Sequence, residues 1–577
     1  MADASSPADS GRRDATPVKA IDWAQRRIVI DERGLAEALS RFAEVVGTEH
    51  VVTELSALRA MGQATVPDSR RPSAIVYPGS ADEVAQIITL AESRSVPLWP
   101  CSKGRNWGYG SAAPFLEGTV LLHLERLNRI IEVNEELAYA VIEPGVTYRQ
   151  LKAFLVQHHP NLWCDCTDGP PDGSVVGNAL ERGLGVTSYG DHFATLCGLE
   201  VVLADGSLIR TGGGEPGHCH TWNTHKWGVG PYLEGLFSQS SLGVVTKAGV
   251  WLLRRPQAFV SFTLDLADEA NLPRLVDVVR ELSLQGVLPQ GTHIVNDVVA
   301  LAVVSQYPRE LVGNCTRLPD AVMRELRKHL TIPQWSLGGG LYGTRAQVNA
   351  VRAELRRALR GLGRLNVLTD RKVRALLRLE TVLESLRSRP LLRQAIAAGF
   401  RRLSGKSVEL LPVAKRVHSV MQGIPSDYFV RHAYFKSPLE KPEDAHPDRD
   451  NCGLIWFAPI APCTGNHVQV VLNLCKQLFI HHNFDFYAAL LMQNSRSMII
   501  LLSIFYDKDI PAEANRAQVL YSALTEATQK AGYQQYRTGT MGMAALFSTA
   551  PEYGRFVRRL KTALDPMGIL APGKLPH

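Results

Sequence analysis

Four glycine-rich loops constrain this chain more than any other feature of its sequence. They are the segments Gly104–Gly110, Pro170–Ala179, Ser188–His192 and Ser240–Val245. Glycine lets a backbone approach a ligand closely and lets successive N–H groups point toward an anion. Four such loops in one stretch of chain favour a long ligand, such as a dinucleotide, bound along a single domain. None has the strand, GxGxxG and helix context of a Rossmann site, so NAD bound in that mode is disfavoured.

Short apolar runs and amphipathic stretches alternate around these loops. The N-terminal half has predicted strands at Ala74–Tyr77, Val96–Trp99, Val120–Leu124, Ala138–Glu143, Leu199–Leu203 and Val244–Leu253. Ser80 followed by Glu83 forms a capping box that predicts a helix through Ala91. Further along, helices are predicted at Leu272–Leu284, Pro319–Leu330, Gly465–His481 and Pro511–Gly532, with strands between them. This order predicts an α+β fold rather than repeated βαβ units.

Length and composition set the broad class. A chain of 577 residues exceeds what one hydrophobic core organises, so we expect two large lobes. A hydrophobic fraction of 45% with 21% charged residues excludes a disordered or fibrous protein. No apolar run approaches the roughly 18 residues that cross a bilayer, so no membrane partner is expected. The first twenty residues lack the apolar core of a signal peptide, and nine cysteines without CxxC pairs fit a reducing compartment; both predict a cytoplasmic protein.

The net charge of +7 invites a nucleic-acid hypothesis, but the charge is local. Between Arg352 and Lys406 there are 15 Lys and Arg residues against four Asp and Glu, so the rest of the chain is slightly acidic. We interpret this Arg-rich segment as a set of solvated helical faces, or else as a docking surface for an acidic electron-accepting partner. Aromatic residues are scarce in it, and no nucleic-acid partner is expected.

Nine motifs in a fixed order carry a family resemblance. They are Pro97–Pro100, Gly104–Gly110, Val141–Tyr148, Gly177–Gly183, Tyr189–His192, Phe237–Ser240, Met421–Pro425, Tyr536–Thr538 and Asp565–Lys574. The series resembles the vanillyl-alcohol oxidase family of flavoproteins, in its branch that oxidizes 4-substituted phenols. The resemblance spans nearly the whole chain from about residue 70 onward.

The resemblance implies an architecture with two lobes. It predicts a p-cresol methylhydroxylase (PCMH)-type FAD-binding domain over residues 21–257 and an α+β cap domain with an antiparallel sheet over residues 258–532. The cap would form the substrate cavity, and residues 533–577 would return to the FAD domain. Residues 1–20 are expected to be a disordered tail.

The resemblance also implies the positions that hold FAD and substrate. The FAD-binding residues it implies are Pro100, Ser102, Gly104, Arg105, Asn106, Gly173, Ser174, Gly177, Asn178, Tyr189, Gly190, Gly243 and Val245. Tyr109, Tyr536 and Arg537 match the two tyrosines and the arginine that hold the substrate as a phenolate. An active-site aspartate on the flavin N5 side matches Asp168, although this loop is one residue longer here and leaves Asp165 and Asp172 open.

The chemistry implied is oxidation of a para-substituted phenol at its benzylic carbon. A phenol has a pKa near 10, and a desolvated guanidinium with two hydroxyl donors lowers such a pKa by ~2–3 units. Hydride transfer to the flavin then leaves a quinone methide, and the flavin carries the redox chemistry. We expect an oxidase that uses O2; the alternative is a dehydrogenase that passes electrons to a cytochrome, and a flavin-binding assembly protein without catalysis is the least favoured. By analogy with the family, we also expect a homo-oligomer.

Several positions depart from the family or need a separate interpretation. Leu454 stands where many relatives attach FAD to a histidine, and no histidine lies between His50 and His123. We therefore expect non-covalent FAD, with a tyrosyl link through a residue such as Tyr434 left open. Val186 replaces a cavity tyrosine of vanillyl-alcohol oxidase, which leaves the substrate open. The cluster His218-Cys219-His220 with His225 is interpreted as a variable loop, and no metal is expected.

Overall fold

The computed structural model describes most of the chain. The described residues are 19–22, 25–215, 219–313, 315–545, 547–548 and 550–575. Most of the predicted N-terminal tail, residues 1–18, lies outside this range. Its last two residues, Lys19 and Ala20, belong to a strand instead, because they pair with Val29 and Ile30.

The N-terminal part of the described chain alternates strands and short helices. The strands are β1 (Lys19–Asp22), β2 (Arg27–Ile30), β3 (Val51–Val52), β4 (Ala74–Val76), β5 (Leu98–Cys101), β6 (Val120–His123), β7 (Ile130–Asn134), β8 (Tyr139–Ile142), β9 (Leu162–Trp163), β10 (Leu196–Val202), β11 (Leu208–Arg210), β12 (Val244–Trp251) and β13 (Leu253–Arg254). The helices are α1 (Glu32–Val46), α2 (Leu55–Met61), α3 (Ala81–Ser93), α4 (Tyr148–His158), α5 (Val175–Leu180) and α6 (Glu234–Phe237).

Two main sheets organise this part. One has four strands in the order β3-β4-β6-β5, with β4 and β5 both parallel to β6. The other has five antiparallel strands in the order β11-β10-β12-β8-β7. All residues of β6 are buried, which agrees with its continuous apolar run. The four glycine-rich loops adjoin β5, α5 and β12. Their placement at the ends of these elements allows several of them to line one cleft.

The C-terminal part contains a larger sheet and most of the helices. Its strands are β14 (Ala258–Leu266), β15 (His293–Asn296), β16 (Trp335–Gly343), β17 (Gly363–Leu368), β18 (Cys452–Phe457), β19 (Ile460–Pro462), β20 (Tyr487–Asn494) and β21 (Ser497–Asp507). Its helices are α7 (Leu272–Leu284), α8 (Asp297–Val304), α9 (Arg309–Val312), α10 (Asp320–Leu330), α11 (Arg345–Ala358), α12 (Asp370–Ser385), α13 (Pro390–Ser404), α14 (Leu411–Val420), α15 (Gly465–His481), α16 (Pro511–Lys530) and α17 (Pro551–Leu564).

This large sheet is antiparallel and has two different faces. Its order is β17-β14-β16-β15-β20-β21-β18, and β19 pairs with β21. Successive side chains of a strand point to opposite faces. In β14, Phe262 and Leu264 pack in a core with α7, α15 and α16, whereas Ser261 and Thr263 line a cavity on the other side. One face therefore builds a core and the other builds a site.

The predicted α+β class with an antiparallel sheet in the second lobe is confirmed. The helices predicted at Leu272–Leu284 and Gly465–His481 occur with those bounds. Several elements were missed, among them β17, which interrupts the Arg-rich segment, and α17, which lies in the C-terminal segment. The sequence of β17 was interpreted as helical because Arg and Leu are good helix formers; pairing with β14 makes it a strand instead.

A buried lysine ties the C-terminal segment to the first lobe. Lys561 is 2% exposed and pairs with Asp565 at 2.6 Å, and its Nζ donates to the carbonyl oxygens of Ser241 and Leu570. The following residues extend the contact, since the Leu98 N–H donates to Ile569 O and the Ala571 N–H donates to Leu98 O. The last described residues therefore lie against β5 and close to the glycine-rich loops. The predicted numerical domain boundaries stay predictions.

The helices of the described chain include none that is long and apolar enough to cross a membrane. All nine cysteines fall within the described residues, and each is a free thiol.

Replacing the buried lysine tests how the tail is held. Lys561→Ala should lower the free energy of unfolding by about 3 kcal/mol, because Asp565 would become a buried carboxylate without its cation. Urea denaturation of the holoprotein measures the loss, and limited proteolysis should cut the C-terminal segment first. Lys530→Ala is the matched control, because Lys530 is exposed in the last turn of α16. Equal stability of the two variants would contradict the assigned role.

Candidate active site

A cleft lies where the glycine-rich loops converge. Of the thirteen predicted FAD-binding residues, eleven line it, namely Pro100, Ser102, Gly104, Arg105, Asn106, Gly173, Ser174, Gly177, Asn178, Gly243 and Val245. The two others do not: Gly190 lines a second cavity, and Tyr189 lines neither space. The C-terminal segment adds Leu570, Ala571 and Lys574 to the cleft. Three loops and the tail thus form one continuous lining.

Helix α5 shows how the sequence builds this lining locally. Ser174 caps the helix, because its Oγ accepts from the Gly177 N–H at 2.8 Å. The same Oγ donates to Pro144 O, which ties the helix to the end of β8. A Cβ on Gly177 would lie 2.6 Å from Ser102 Oγ. Glycine at this position therefore lets the first and second loops meet.

The cleft presents polar atoms that the protein itself leaves unsatisfied. Among the described residues, six of its lining side chains have a buried N or O atom without a hydrogen-bond partner: Arg105, Tyr109, Ser111, Ser241, Arg537 and Thr540. A buried polar group without a partner costs about 1–3 kcal/mol, so such groups need an explanation. A long polar ligand along the glycine loops supplies it. The lining therefore fits a dinucleotide such as FAD.

Tyr109, Tyr536 and Arg537 meet at one end of the cleft. The Arg537 guanidinium carbon lies 4.0 Å from the centre of the Tyr109 ring and 5.5 Å from that of Tyr536. Tyr109 and Arg537 line the cleft, whereas Tyr536 stands behind Arg537 and is not on the lining. Enclosure raises the pKa of the Tyr536 hydroxyl above its usual range, although the Arg537 charge partly offsets this. Tyr536 therefore stays a protonated hydroxyl.

A tight backbone crossing brings this trio together. The Thr540 N–H donates to Tyr109 O at 3.1 Å. A Cβ on Gly539 would lie 2.2 Å from that same oxygen. Only glycine allows the segment that carries Tyr536 and Arg537 to lie directly on the loop that carries Tyr109.

Arg537 is held in place by the end of α5 and by the tail. It is 8% exposed, and its Nη1 donates to Glu181 O at 3.2 Å. The Glu181 carboxylate pairs with Lys574 at 2.6 Å. Burial opposes ionisation of Glu181, but Lys574 and Arg537 hold its pKa below the usual range. The position of the Arg537 guanidinium therefore depends on contacts among three segments: its own, the end of α5 and the C-terminal segment.

The three aspartates that the sequence left open have different surroundings. Asp165 is buried; its carboxylate accepts from the Cys166 and Thr187 N–H groups and lies 3.2 Å from His192 Nε2. Asp172 pairs with Arg149 at 2.9 Å near the surface. Asp168 is solvent-accessible and lines the second cavity. Only Asp168 of the three presents its carboxylate to a space that a ligand could enter.

The second cavity has a volume of about 650 Å³ and a mainly apolar lining. Asp168 marks one end, together with His293 from β15, His432 and Tyr487 from β20. Burial lowers the pKa of both histidines, and the Asp168 charge partly offsets it. The His432 Nδ1–H donates to Phe429 O, so Nε2 is the nitrogen without a proton in the neutral ring.

The cleft and the cavity meet at one wall. Thr167 lines the cleft and its neighbour Asp168 lines the cavity. On the same wall, the Tyr109 ring lies 5.4 Å from Trp456, and Trp456 stacks with His432 at 6.3 Å. Groups bound in the two spaces can therefore approach each other here.

Several site residues escaped the sequence analysis. His293, His432 and Tyr487 lie in separate segments without a motif, and Glu181 and Lys574 appeared only as parts of longer motifs. The Arg-rich segment was interpreted as solvated helical faces or as a docking surface. Its residues Arg364 and Lys372 are exposed, and together with Leu376, Phe400 and Lys406 they also line the second cavity, which the sequence did not indicate. Val186, expected at the cavity, lines it. The alternation along strands is the signal that places His293 beside Val295 on the cavity face.

The positions considered for covalent FAD attachment lie away from the cleft lining. Leu454 is fully buried in a hydrophobic core. Tyr434 is in the same core, and its hydroxyl donates to Asp450. Burial and the Asp450 carboxylate raise the pKa of Tyr434 above its usual range. A tyrosyl link through Tyr434 is therefore not favoured, and non-covalent FAD stays a prediction.

The loop considered for a metal is only partly described, because His218 lies outside the described residues. Among the residues that are described, no group of three or more His, Cys, Asp or Glu side chains is arranged to hold a metal ion. The absence of a metal stays a prediction.

Comparisons with known proteins agree with this architecture. Residues 72–212 match the model of an FAD-binding domain family. The chain is 38% identical to 1'-carboxy-chondrochloren decarboxylase of Chondromyces crocatus over 94% of this chain and 97% of that protein. It is 29% identical to the 4-cresol dehydrogenase [hydroxylating] flavoprotein subunit of Pseudomonas putida over 93% and 95% of the two chains.

Solved structures extend the likeness. The fold matches that of p-cresol methylhydroxylase with substrate bound, with a TM-score of 0.82 and 28% identity over 94% of this chain and 97% of that one. It matches 4-ethylphenol oxidase from Gulosibacter chungangensis equally well, with a TM-score of 0.82, 29% identity and the same coverage. The predicted PCMH-type fold is confirmed.

Fold and site together define an FAD-dependent oxidoreductase. The glycine loops predicted a dinucleotide, and the family resemblance implied that it is FAD. FAD is confirmed by the family match and by the flavoprotein relatives. The chain belongs to the PCMH-type family of flavoproteins, to which p-cresol methylhydroxylase gives its name.

Proposed function

We propose that this enzyme oxidizes a para-substituted phenol at its benzylic carbon. The observation that carries the proposal is the meeting of Tyr109, Tyr536 and Arg537 at the end of the cleft, beside the wall shared with the second cavity. In solved relatives, p-cresol methylhydroxylase was crystallised with its substrate and 4-ethylphenol oxidase with isoeugenol.

The buried guanidinium explains how a phenol would be activated. Burial opposes the Arg537 charge, but Tyr536, Tyr109 and Glu181 raise the pKa of its guanidinium, so it keeps its proton at all working pH values and presents a cation to an oxyanion. The Tyr109 hydroxyl is buried and has no hydrogen-bond partner among the described residues, so it is free to donate to a bound oxygen. A phenol held between these groups would bind as its phenolate. Electron release from the phenolate weakens the para benzylic C–H bond.

FAD, when bound in the cleft, supplies the acceptor for a hydride from the benzylic carbon. The residues of the chain would orient the substrate, exclude water and accept protons. The cleft orients the ring against Arg537, and the apolar cavity wall excludes bulk water from the benzylic carbon. Asp168 lies at the cavity end next to the cleft wall and would hold a proton or orient a water that adds to the quinone methide. Neutral His432, with its free Nε2, is the neighbouring proton acceptor.

The electron acceptor is proposed to be O2, with a cytochrome as the alternative. One relative of similar identity is an oxidase, and another is the flavoprotein subunit of a dehydrogenase. The homo-oligomeric state, the domain boundaries and the cytoplasmic location also stand as proposals.

A second candidate reaction is an oxidative decarboxylation. The relative with 38% identity is named a decarboxylase. If the carbon next to the benzylic position carries a carboxylate, the quinone methide can regain its aromatic ring by releasing CO2. The C–C bond electrons then form the new C=C bond as the ring becomes a phenolate, so no water is needed. The same phenolate site serves both reactions.

An anaerobic titration tests the proposal. The holoprotein mixed with 4-alkylphenols and vanillyl alcohol should lose the visible absorbance of oxidized flavin, because the bound phenolate is the hydride donor. Anisole analogues, which cannot form a phenolate, are the matched control and should leave the absorbance unchanged. No bleaching by any phenol would contradict the substrate class.

The same experiment separates the alternatives. Readmission of air should restore the colour within seconds for an oxidase, whereas slow recovery that a cytochrome accelerates would indicate the dehydrogenase. Release of CO2 from a phenol with a β-carboxylate, together with a vinylphenol product, would favour the decarboxylation.

Replacing Arg537 tests the phenolate argument by its pH dependence. Arg537→Met should lower the flavin-reduction rate at neutral pH by about 10²-fold or more, as for loss of an oxyanion donor. Without the cation, the bound phenol keeps a pKa nearer 10, so the residual rate should rise with pH toward that value. Stopped-flow reduction from pH 6 to 10 measures both effects. Arg559→Met, at an exposed arginine of α17, is the control; a flat profile in Arg537→Met would contradict the argument.

The three aspartates form an internal comparison. Asp168→Asn should reduce the turnover rate by about 10²-fold or more while flavin content and stability are retained, because it removes a proton acceptor at the cavity. Asp172→Asn should match the native turnover, since that carboxylate pairs with Arg149 near the surface. Asp165→Asn should instead lower the free energy of unfolding by about 1–3 kcal/mol, because two buried N–H groups and His192 depend on it. Native turnover in Asp168→Asn would remove it from the site.

A further inference from the structure

The second cavity is larger than a simple phenol requires. Its volume of about 650 Å³ lies in the range that buries drug-sized ligands. A phenol ring with a one- or two-carbon substituent is much smaller than such ligands. Tyr109, Tyr536 and Arg537 do not line this cavity, so a phenol held at Arg537 leaves most of it for another portion of the substrate.

The lining changes in character along the cavity. Next to Asp168 it carries the polar groups His293, His432 and Tyr487. The walls that follow are apolar and come from two helices and one strand. They include Val299 and Val303 of α8, Val413 and Val417 of α14, and Leu365 of β17. An alkyl chain fits such walls because they offer few hydrogen-bond partners.

The far end of the cavity is formed by the Arg-rich segment. Leu376 of α12 and Phe400 of α13 close the apolar part. Arg364, Lys372 and Lys406 line the same end, beside the edge strand β17, and Arg364 and Lys372 are exposed. The only acidic side chain at this end among the described lining residues is Asp265. Lys406 pairs with Asp265 at 2.6 Å, and Arg364 stands opposite Asp265 on the neighbouring strand. The Lys372 Nζ donates to Val367 O at 2.9 Å, and among the described residues no carboxylate lies within ion-pair distance of Arg364 or Lys372.

We infer that the natural substrate is an elongated phenol whose para substituent continues into an apolar chain and ends in an anionic group such as a carboxylate. The phenol would lie at Arg537, the chain along α8 and α14, and the anion at Lys372 and Arg364. This inference rests on the proposed function for the position of the phenol. It gives the Arg-rich segment a role in substrate selection.

The chain-length part is tested by binding rather than turnover. 4-Alkoxyphenols from ethoxy to dodecyloxy have no benzylic C–H, so they bind as dead-end ligands, and their Kd is measured from the change in the flavin spectrum of the holoenzyme. The Kd should fall about two- to fourfold for each added methylene until the cavity is filled. A Kd that stays constant beyond the butoxy compound would overturn the inference.

A variant pair locates the chain. Leu376→Trp should raise the Kd of the dodecyloxy compound at least tenfold relative to that of the ethoxy compound, because the indole occupies the apolar end. Val382→Trp, at a half-exposed position of the same helix, should leave this ratio unchanged. An unchanged ratio in Leu376→Trp would place the chain elsewhere and overturn the inference.

The anionic end is tested with matched ligands. An ω-carboxylate should bind about three- to fivefold more tightly than the ω-carboxamide of the same length at low salt, and salt should reduce the difference. Lys372→Met should remove the difference, whereas Arg378→Met, which makes the same charge change on an exposed part of α12, should retain it. Equal affinity of carboxylate and carboxamide at low salt would overturn the anionic end.

The outcomes also separate this inference from the proposed function. If long alkoxyphenols bind in the predicted series but no alkylphenol reduces the flavin, the cavity inference stands and benzylic oxidation fails. If alkylphenols reduce the flavin and the affinity ignores chain length, benzylic oxidation stands and the inference fails.

Discussion

The site depends on one buried cation, Arg537. A guanidinium with 8% exposure is costly to bury unless neighbours compensate its charge, and the Arg537 Nε still lacks a hydrogen-bond partner among the described residues. Here Glu181 O accepts one donor, two tyrosine rings flank the plane, and the Glu181–Lys574 pair fixes the end of α5. The tail, α5 and the first glycine loop must all be in place before this cation can be buried. The packing of these three segments in the first lobe therefore also fixes the position of Arg537.

In the second lobe, one antiparallel sheet both packs the core and lines the second cavity. Alternation along β14, β15 and β20 sends one set of side chains into a tight core and the other set into the cavity. A one-residue change of register would exchange the two sets and destroy both. One face of the sheet therefore packs in the core, and the residues on the other face can differ in chemistry without disturbing that core. The proposed long-chain substrate would use this face together with the Arg-rich segment.

The sequence predicted the cleft better than the cavity. The glycine-rich loops, Tyr109 and Arg537 lie in short contiguous motifs. Such motifs can be recognised in the sequence, because they contain glycines where two backbones pass close together, as at Gly539. Tyr189 and Gly190 sit in an equally suggestive motif, but the turn after α5 carries them away from the cleft. His293, His432 and Tyr487 converge from segments more than fifty residues apart, and β17 was missed because pairing with β14 outweighs helical propensity.

The residues of the sequence by themselves predicted a dinucleotide bound in a non-Rossmann mode and a fold of two α+β lobes. The family resemblance added the prediction that Tyr109, Tyr536 and Arg537 belong to the site. These properties depend on residues within short windows, where glycine, capping and charge act locally. The tertiary structure decided which aspartate faces a cavity, which strand faces line it, and that a basic segment closes its far end. Those outcomes depend on the register and packing of distant segments, which no local pattern specifies.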